Sequence, residues 1–248
     1  MSLQRERPLI LALLLILTAA SWALLIWQST TAEMMDMSLT MDMEAGLFLG
    51  LWTVMMVAMM FPATTPINLA FVQAQYERSN RKHAFVPILI FVGAYLLIWT
   101  LFGGLAYLGA NAASELARSV PWLMLNASRI GGGVLILAGL YQFTPFKRAC
   151  LTTCCKPQQF MFERWRDGRI GALHMGLSHG FACLGANWLL CILLFPLGIM
   201  NWAAMLVLTV VIFAERVFPQ AVRIAQVVGL ALILYGIFMI VMPAAHSM

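Results

Sequence analysis

The sequence predicts an all-α fold: a polytopic transmembrane helical bundle of about seven spans with a cytoplasmic N-terminus. Three observations carry this. Hydrophobic residues make up 62% of the 248 and charged residues 10%, against roughly 25% charged in an average soluble domain; such a chain cannot clothe a water-exposed surface. Stretches of about 20 apolar residues recur from end to end. These stretches are continuous rather than alternating, which favours helices over a barrel, since both satisfy their backbone in lipid but leave different patterns.

The predicted spans are 9–27, 47–74, 84–110, 123–143, 172–197, 202–214 and 223–243. The first follows Arg5 and Arg7; its apolar stretch is long and no strong small-x-small cleavage site follows, so it reads as a membrane anchor rather than a signal sequence. Pro62 and Pro66 interrupt the second and predict a kink, tolerated where neighbours satisfy the freed carbonyls. Gly131, Gly132 and Gly133 in the fourth span, and Gly176 and Gly180 in the fifth, are small residues that let helices approach closely, so both spans are expected to be central. The sixth is the shortest. With no separating linker, 1–248 reads as one membrane domain, carrying an outer loop at 28–46 and an inner loop at 144–171 that is expected to contain a short interfacial helix.

Charge sets the expected orientation, because cytoplasmic loops retain Lys and Arg. With the N-terminus inside, the inner segments hold nearly all the bases, including Arg78, Lys147, Arg148, Lys156, Arg164, Arg216 and Arg223. Outside there is only Arg118, while the first outer loop carries Glu33, Asp36, Asp42 and Glu44 without a base. The net charge of +5 therefore points to the lipid bilayer and its anionic headgroups rather than to nucleic acid.

Methionine is over-used, at 18 residues, and it clusters. Met34, Met35, Met37, Met41 and Met43 stand among hydrophilic residues, where no core would hold them. Thioethers are soft ligands suited to Cu(I) and need no deprotonation to bind it. Met55, Met56, Met59 and Met60 form two pairs at four-residue spacing, and each pair shares a helix face; packing by flexible gap-fillers is the alternative. In the fifth span Met175, His179, Cys183, Asn187 and Cys191 stand at four-residue intervals, so His179 and Cys183 form a candidate nitrogen–sulfur pair at bilayer depth. A histidine hydrogen-bonded between helices is the alternative there. Cys150 and Cys154, with Cys155 adjacent, are expected to be reduced cytoplasmic thiols whose acidity Lys147, Arg148 and Lys156 increase. No Walker loop, dinucleotide fingerprint, H-E-x-x-H or G-x-S-x-G motif occurs, so an enzyme is not expected.

The segments WTVMMVAMMFPAT at 52–64, GLYQFTPFKRACLTTCCKP at 139–157, and GLSHGFACLGANW at 176–188 with GIMN at 198–201 resemble a bacterial family of predicted metal-binding integral membrane proteins, domain of unknown function 2182. The resemblance runs from about Trp52 to Glu215 and implies an inner-membrane protein with a metal site, its family-like positions being Met55, Met56, Met59, Met60, Cys150, Cys154 and Cys183. Members of that family often continue with cysteines after the Cys-Leu-Gly of the third motif, where this chain has Ala186 and Asn187. A second likeness, to eukaryotic high-affinity copper uptake channels, covers only Met34 to Met60 and is read as convergent.

The expected function is therefore copper handling at a bacterial inner membrane. Capture is expected at Met34 to Met43, passage past Met55 to Met60 and the His179/Cys183 pair, and delivery toward Cys150 and Cys154, by import or by handover. Two alternatives are an assembly or docking factor for a partner membrane metalloenzyme or metal chaperone, and a structural subunit that binds no metal. A cysteine-based oxidoreductase is the weakest. The sequence leaves the oligomeric state open.

Overall fold

The computed structural model describes residues 3–32, 44–78, 85–199 and 201–242. Met34, Met35, Met37, Met41 and Met43 lie outside the described residues. Among the described residues there are helices and no strand, in the order α1 (Leu3–Ala32), α2 (Ala45–Arg78), α3 (Phe85–Ser119), α4 (Pro121–Leu125), α5 (Ala127–Tyr141), α6 (Pro145–Cys155), α7 (Pro157–Arg164), α8 (Gly168–Ile192), α9 (Leu194–Leu197), α10 (Trp202–Val217) and α11 (Ala221–Val241).

Five helices (α1, α2, α3, α8 with α9, and α11) are long and apolar enough to cross a membrane, and they overlap the first, second, third, fifth and seventh predicted spans. The elements at the fourth and sixth predicted spans are shorter: α5 has 15 residues and α10 has 16. At ~1.5 Å per residue neither matches a hydrocarbon layer of about 30 Å. α4 lengthens α5 across a break at Asn126. At the other extreme, α2 with 34 residues and α3 with 35 are longer than such a layer is thick.

α2 stays one helix through Pro62 and Pro66. Pro62 has no N–H for the carbonyl of Ala58, and the indole Nε1 of Trp22 in α1 donates to that carbonyl at 3.1 Å. A neighbouring helix thus repairs the break, while the Thr65 hydroxyl adds a bond to the Phe61 carbonyl at 3.0 Å.

Gly176 and Gly180 seat α8 on α3. A Cβ at Gly176 would overlap the Phe91 carbonyl, and one at Gly180 would lie 2.9 Å from Ile98. The expectation of a central fifth span holds. The fourth span differs: α5 packs chiefly against α11, which is mostly surface. Its glycines explain why. Gly132 faces Gly236 and Gly139 faces Gly229, and a Cβ at any of the four would stand 2.6–2.8 Å from the opposing carbonyl oxygen. The small residues create a tight helix pair without making α5 central.

The predicted inner loop folds into two helices rather than one. α6 and α7 each begin on a proline at the first turn, where the missing N–H is harmless, and Lys156 turns the chain between them with φ −118° and ψ 71°. α6 turns back onto α8, while α7 lies against α2. Phe71 of α2 stacks on Phe91 of α3 at 4.8 Å and meets Trp165 at 5.9 Å. Ile10 and Leu14 of α1, Phe160 of α7 and Met175 of α8 join this cluster. The segments rich in Lys and Arg therefore gather at one end of the bundle.

The opposite end is closed by rings. Trp52 lies against Gly103, where a Cβ would overlap the indole, and its Nε1 donates to the Trp99 carbonyl at 3.0 Å. Phe48, Phe102 and Phe195 surround it at centroid distances of 5.9, 6.0 and 6.2 Å.

Candidate metal centre

Because α1, α3, α7 and α10 all pack on α2, residues on its adjoining faces are enclosed. Met55, Met56, Met59 and Met60 are each 0% exposed. They belong to one buried cluster with Cys154 of α6, Cys183 and Cys191 of α8, and Met205 of α10. Thioethers and thiols from four helices thus share a dehydrated core, a donor set that suits a soft monovalent ion.

Cys183 is the best-connected donor. Its Sγ receives Nη2 of Arg216 at 2.7 Å and lies 3.1 Å from the Tyr95 hydroxyl. The Asn187 amide donates to the Cys183 carbonyl at 3.0 Å and points at its sulfur at 3.9 Å. Cys154 interacts electrostatically with both Cys183 and Arg216. Three helices meet here: α6 through Cys154, α8 through Cys183 and α10 through Arg216.

His179 lies one turn along from Cys183, and the two share Tyr95 as a neighbour. The imidazole stacks on Tyr95 at 5.4 Å and Phe91 at 6.0 Å, with Phe160 edge-on at 5.8 Å. It is buried, and among the described residues both ring nitrogens lack a hydrogen-bond partner. The interhelical hydrogen bond that would make it purely structural is absent from the described contacts, so the ring keeps its donor capacity.

Cys150 and Cys154 separate in the fold despite their spacing. Cys154 enters the methionine core, whereas Cys150 is half-buried beside Leu151, Ala186 and Ala225. Its sulfur sits 2.7 Å from where a Cβ of Gly185 would be. The expected acidification by nearby bases does not occur. Arg148 and Lys156 are exposed, and Lys147 turns inward to Glu215. Burial pushes the thiols of Cys150 and Cys155 up, and that of Cys154 up to about 12 although Arg216 pulls it down.

Lys147 and Glu215 form a buried ion pair, 1% and 0% exposed, with Nζ 2.8 Å and 3.1 Å from the two carboxylate oxygens. The Cys155 thiol donates to the Glu215 carbonyl at 3.2 Å. The pair clamps α6 to the end of α10 and holds Cys154 against α8. Among the described residues no group of three or more His, Cys, Asp and Glu is arranged to hold a metal, as zinc would need.

Sequence reasoning missed Arg216, Glu215, Lys147 and Tyr95, and left Cys191 and Met205 out of the ligand set. One signal was present: Glu215 and Arg216 close an apolar run, and ionisable residues at that position mark functional sites.

Fold and core together define a helical protein with membrane-spanning candidates and a buried soft-donor centre. The chain belongs to the PpoB2 family of copper chaperones, whose model matches residues 49–239. A copper family agrees with the metal-binding class that the three motifs resemble, under a different description. Met34 to Met43 precede the matched range. No curated protein and no solved structure matches the chain.

Proposed function

We propose that the protein binds Cu(I) within a bacterial inner membrane and hands it to a partner membrane metalloenzyme or metal chaperone, with its N-terminus and α6 on the cytoplasmic side. The observation that carries this is the burial of Met55, Met56, Met59 and Met60 in one hydrophobic cluster with Cys154 and Cys183, in a chain of a copper chaperone family. Met34 to Met43 collect the ion, the α2 thioethers receive it, and the thiols hold it most tightly, since thiolate outranks thioether for Cu(I). His179 stands beside the same route. The family description favours handover over net import.

On this reading Cys183 and Cys154, which share one buried cluster, act together rather than as a midpoint and an exit. Cys150 lies to the side of that cluster.

The test is replacement of Met55, Met56, Met59 and Met60 by leucine, which keeps volume and apolarity and costs less than about 1.5 kcal/mol per site. The variant accumulates in the membrane at the wild-type level but loses bound Cu(I) and copper-enzyme maturation. Wild-type copper content and enzyme activity in this variant, with a deletion strain losing both, would mean that the methionines only pack.

A further inference from the structure

We propose that Arg216 sets the charge of a Cys154–Cys183 cuprous site and so selects monovalent over divalent ions. The inference deepens the copper-handling reading above and rests on it. Its geometry is a guanidinium held in place: Arg216 is 7% exposed and Nη2 touches the Cys183 sulfur at 2.7 Å. Cys154 and Tyr95 lie within its electrostatic reach. Among the described residues its Nε has no hydrogen-bond partner.

The charges at this junction can be summed. Lys147 and Glu215 offset one another across their ion pair. Arg216 is left as one fixed positive charge, because a guanidinium stays protonated in proteins. When an ion binds, the two thiols release their protons to the solvent and contribute two negative charges. A monovalent ion then brings the junction to zero. A divalent ion leaves one positive charge, and an uncompensated charge in a dehydrated site is strongly unfavourable. The usual advantage of a divalent ion for anionic ligands is thereby cancelled by a side chain that coordinates nothing.

The experiment uses the purified full chain in detergent under anaerobic conditions, with Ag(I) as the redox-inert monovalent probe and Zn(II) as the divalent one, each measured by competition with a chelator. Cys154→Ser and Cys183→Ser each weaken Ag(I) binding by about tenfold or more, the equivalent of ~1.4 kcal/mol. Arg216→Gln and, independently, Lys147→Met each lower the fixed charge by one, and both raise the Zn(II)-to-Ag(I) affinity ratio by about tenfold or more. Arg216→Lys and the charge-neutral pair Lys147→Met with Glu215→Gln keep the wild-type ratio. Lys147→Met leaves the guanidinium untouched, so the inference stays testable if Arg216→Gln does not fold. An unchanged ratio in whichever of these two variants folds overturns it. Loss of Ag(I) binding in the α2 methionine variants but not in the two cysteine variants removes this site and leaves copper handling standing. A wild-type chain that binds no Ag(I) removes both.

Discussion

Glu215→Gln and Lys147→Met are expected to destabilise the protein unequally. Each partner of the pair is almost fully enclosed, at 0% and 1% exposure. Breaking such a pair leaves a bare buried charge, which costs about 3–5 kcal/mol. Arg216 makes the two variants differ. Without Lys147, Glu215 still has the neighbouring guanidinium as a counter-charge, so Lys147→Met falls at the lower end of that range. Without Glu215, Lys147 and Arg216 are two cations facing each other in an apolar core, and Glu215→Gln falls at the upper end. Removing both charges leaves apolar and amide groups of similar volume and is expected to be neutral or to stabilise by about 1–4 kcal/mol. The coupling energy in the double-mutant cycle is therefore about 8 kcal/mol or more, the two single losses taken together against a double variant that loses nothing. Unfolding in mixed detergent micelles, followed by tryptophan fluorescence, supplies all four corners of the cycle. Single-variant losses below about 1 kcal/mol, the size of an exposed pair, would show that water reaches these groups and refute the argument from burial.

Three further outcomes are expected. Gly236→Ala places a methyl against the Gly132 carbonyl and should cost about 1–3 kcal/mol, whereas Gly104→Ala, which meets nothing within 4 Å, should leave the thermal midpoint unchanged; equal midpoints would mean that the α5–α11 seam is looser than it looks. The raised thiols of Cys150 and Cys155 should react with iodoacetamide more slowly than a free cysteine at neutral pH and speed up as pH rises towards their pKa, a trend that a thiolate-rich loop would not show. Cysteine probes at Glu44 and Arg148, both exposed, should label from opposite sides, Glu44→Cys in intact cells and Arg148→Cys only after the inner membrane is breached; the reverse pattern would invert the proposed orientation.

The spans were legible because hydropathy is a property of the chain alone. The expectation of 9–27 against Leu3–Ala32, or 223–243 against Ala221–Val241, needs no tertiary knowledge. The close approach at Gly176 and Gly180 was legible for a similar reason, since small residues at four-residue spacing make a groove wherever they occur. The shared faces of the α2 methionines followed from helical period. What the sequence hid was the partner of each buried charge. Lys147 read as one basic residue in a basic loop because its counter-charge lies 68 residues away, and Arg216 read as a membrane-edge base because Cys183 is 33 residues away. Spacing on one helix also misled at Cys150 and Cys154, where positions i and i+4 share a face but only Cys154 joins the methionine core and Cys150 stays half-buried against Ala186 and Ala225.

The ring layer around Trp52 bears on rates rather than affinities. Met34 to Met43 precede α2 at its aromatic end, and the indole with Phe48, Phe102 and Phe195 stands between that end and the thioethers. Gly103 leaves no slack for the indole to swing towards α3. An ion crossing this layer on the proposed route would wait for concerted displacement of packed rings and helices, a motion far slower than rotamer exchange at a surface. On the proposed function residence time and equilibrium affinity would thereby be uncoupled: a modest set of thioethers behind a closed aromatic door would retain its cargo for as long as the door stays shut, and Trp52→Ala is expected to speed capture and release together while leaving their ratio in place.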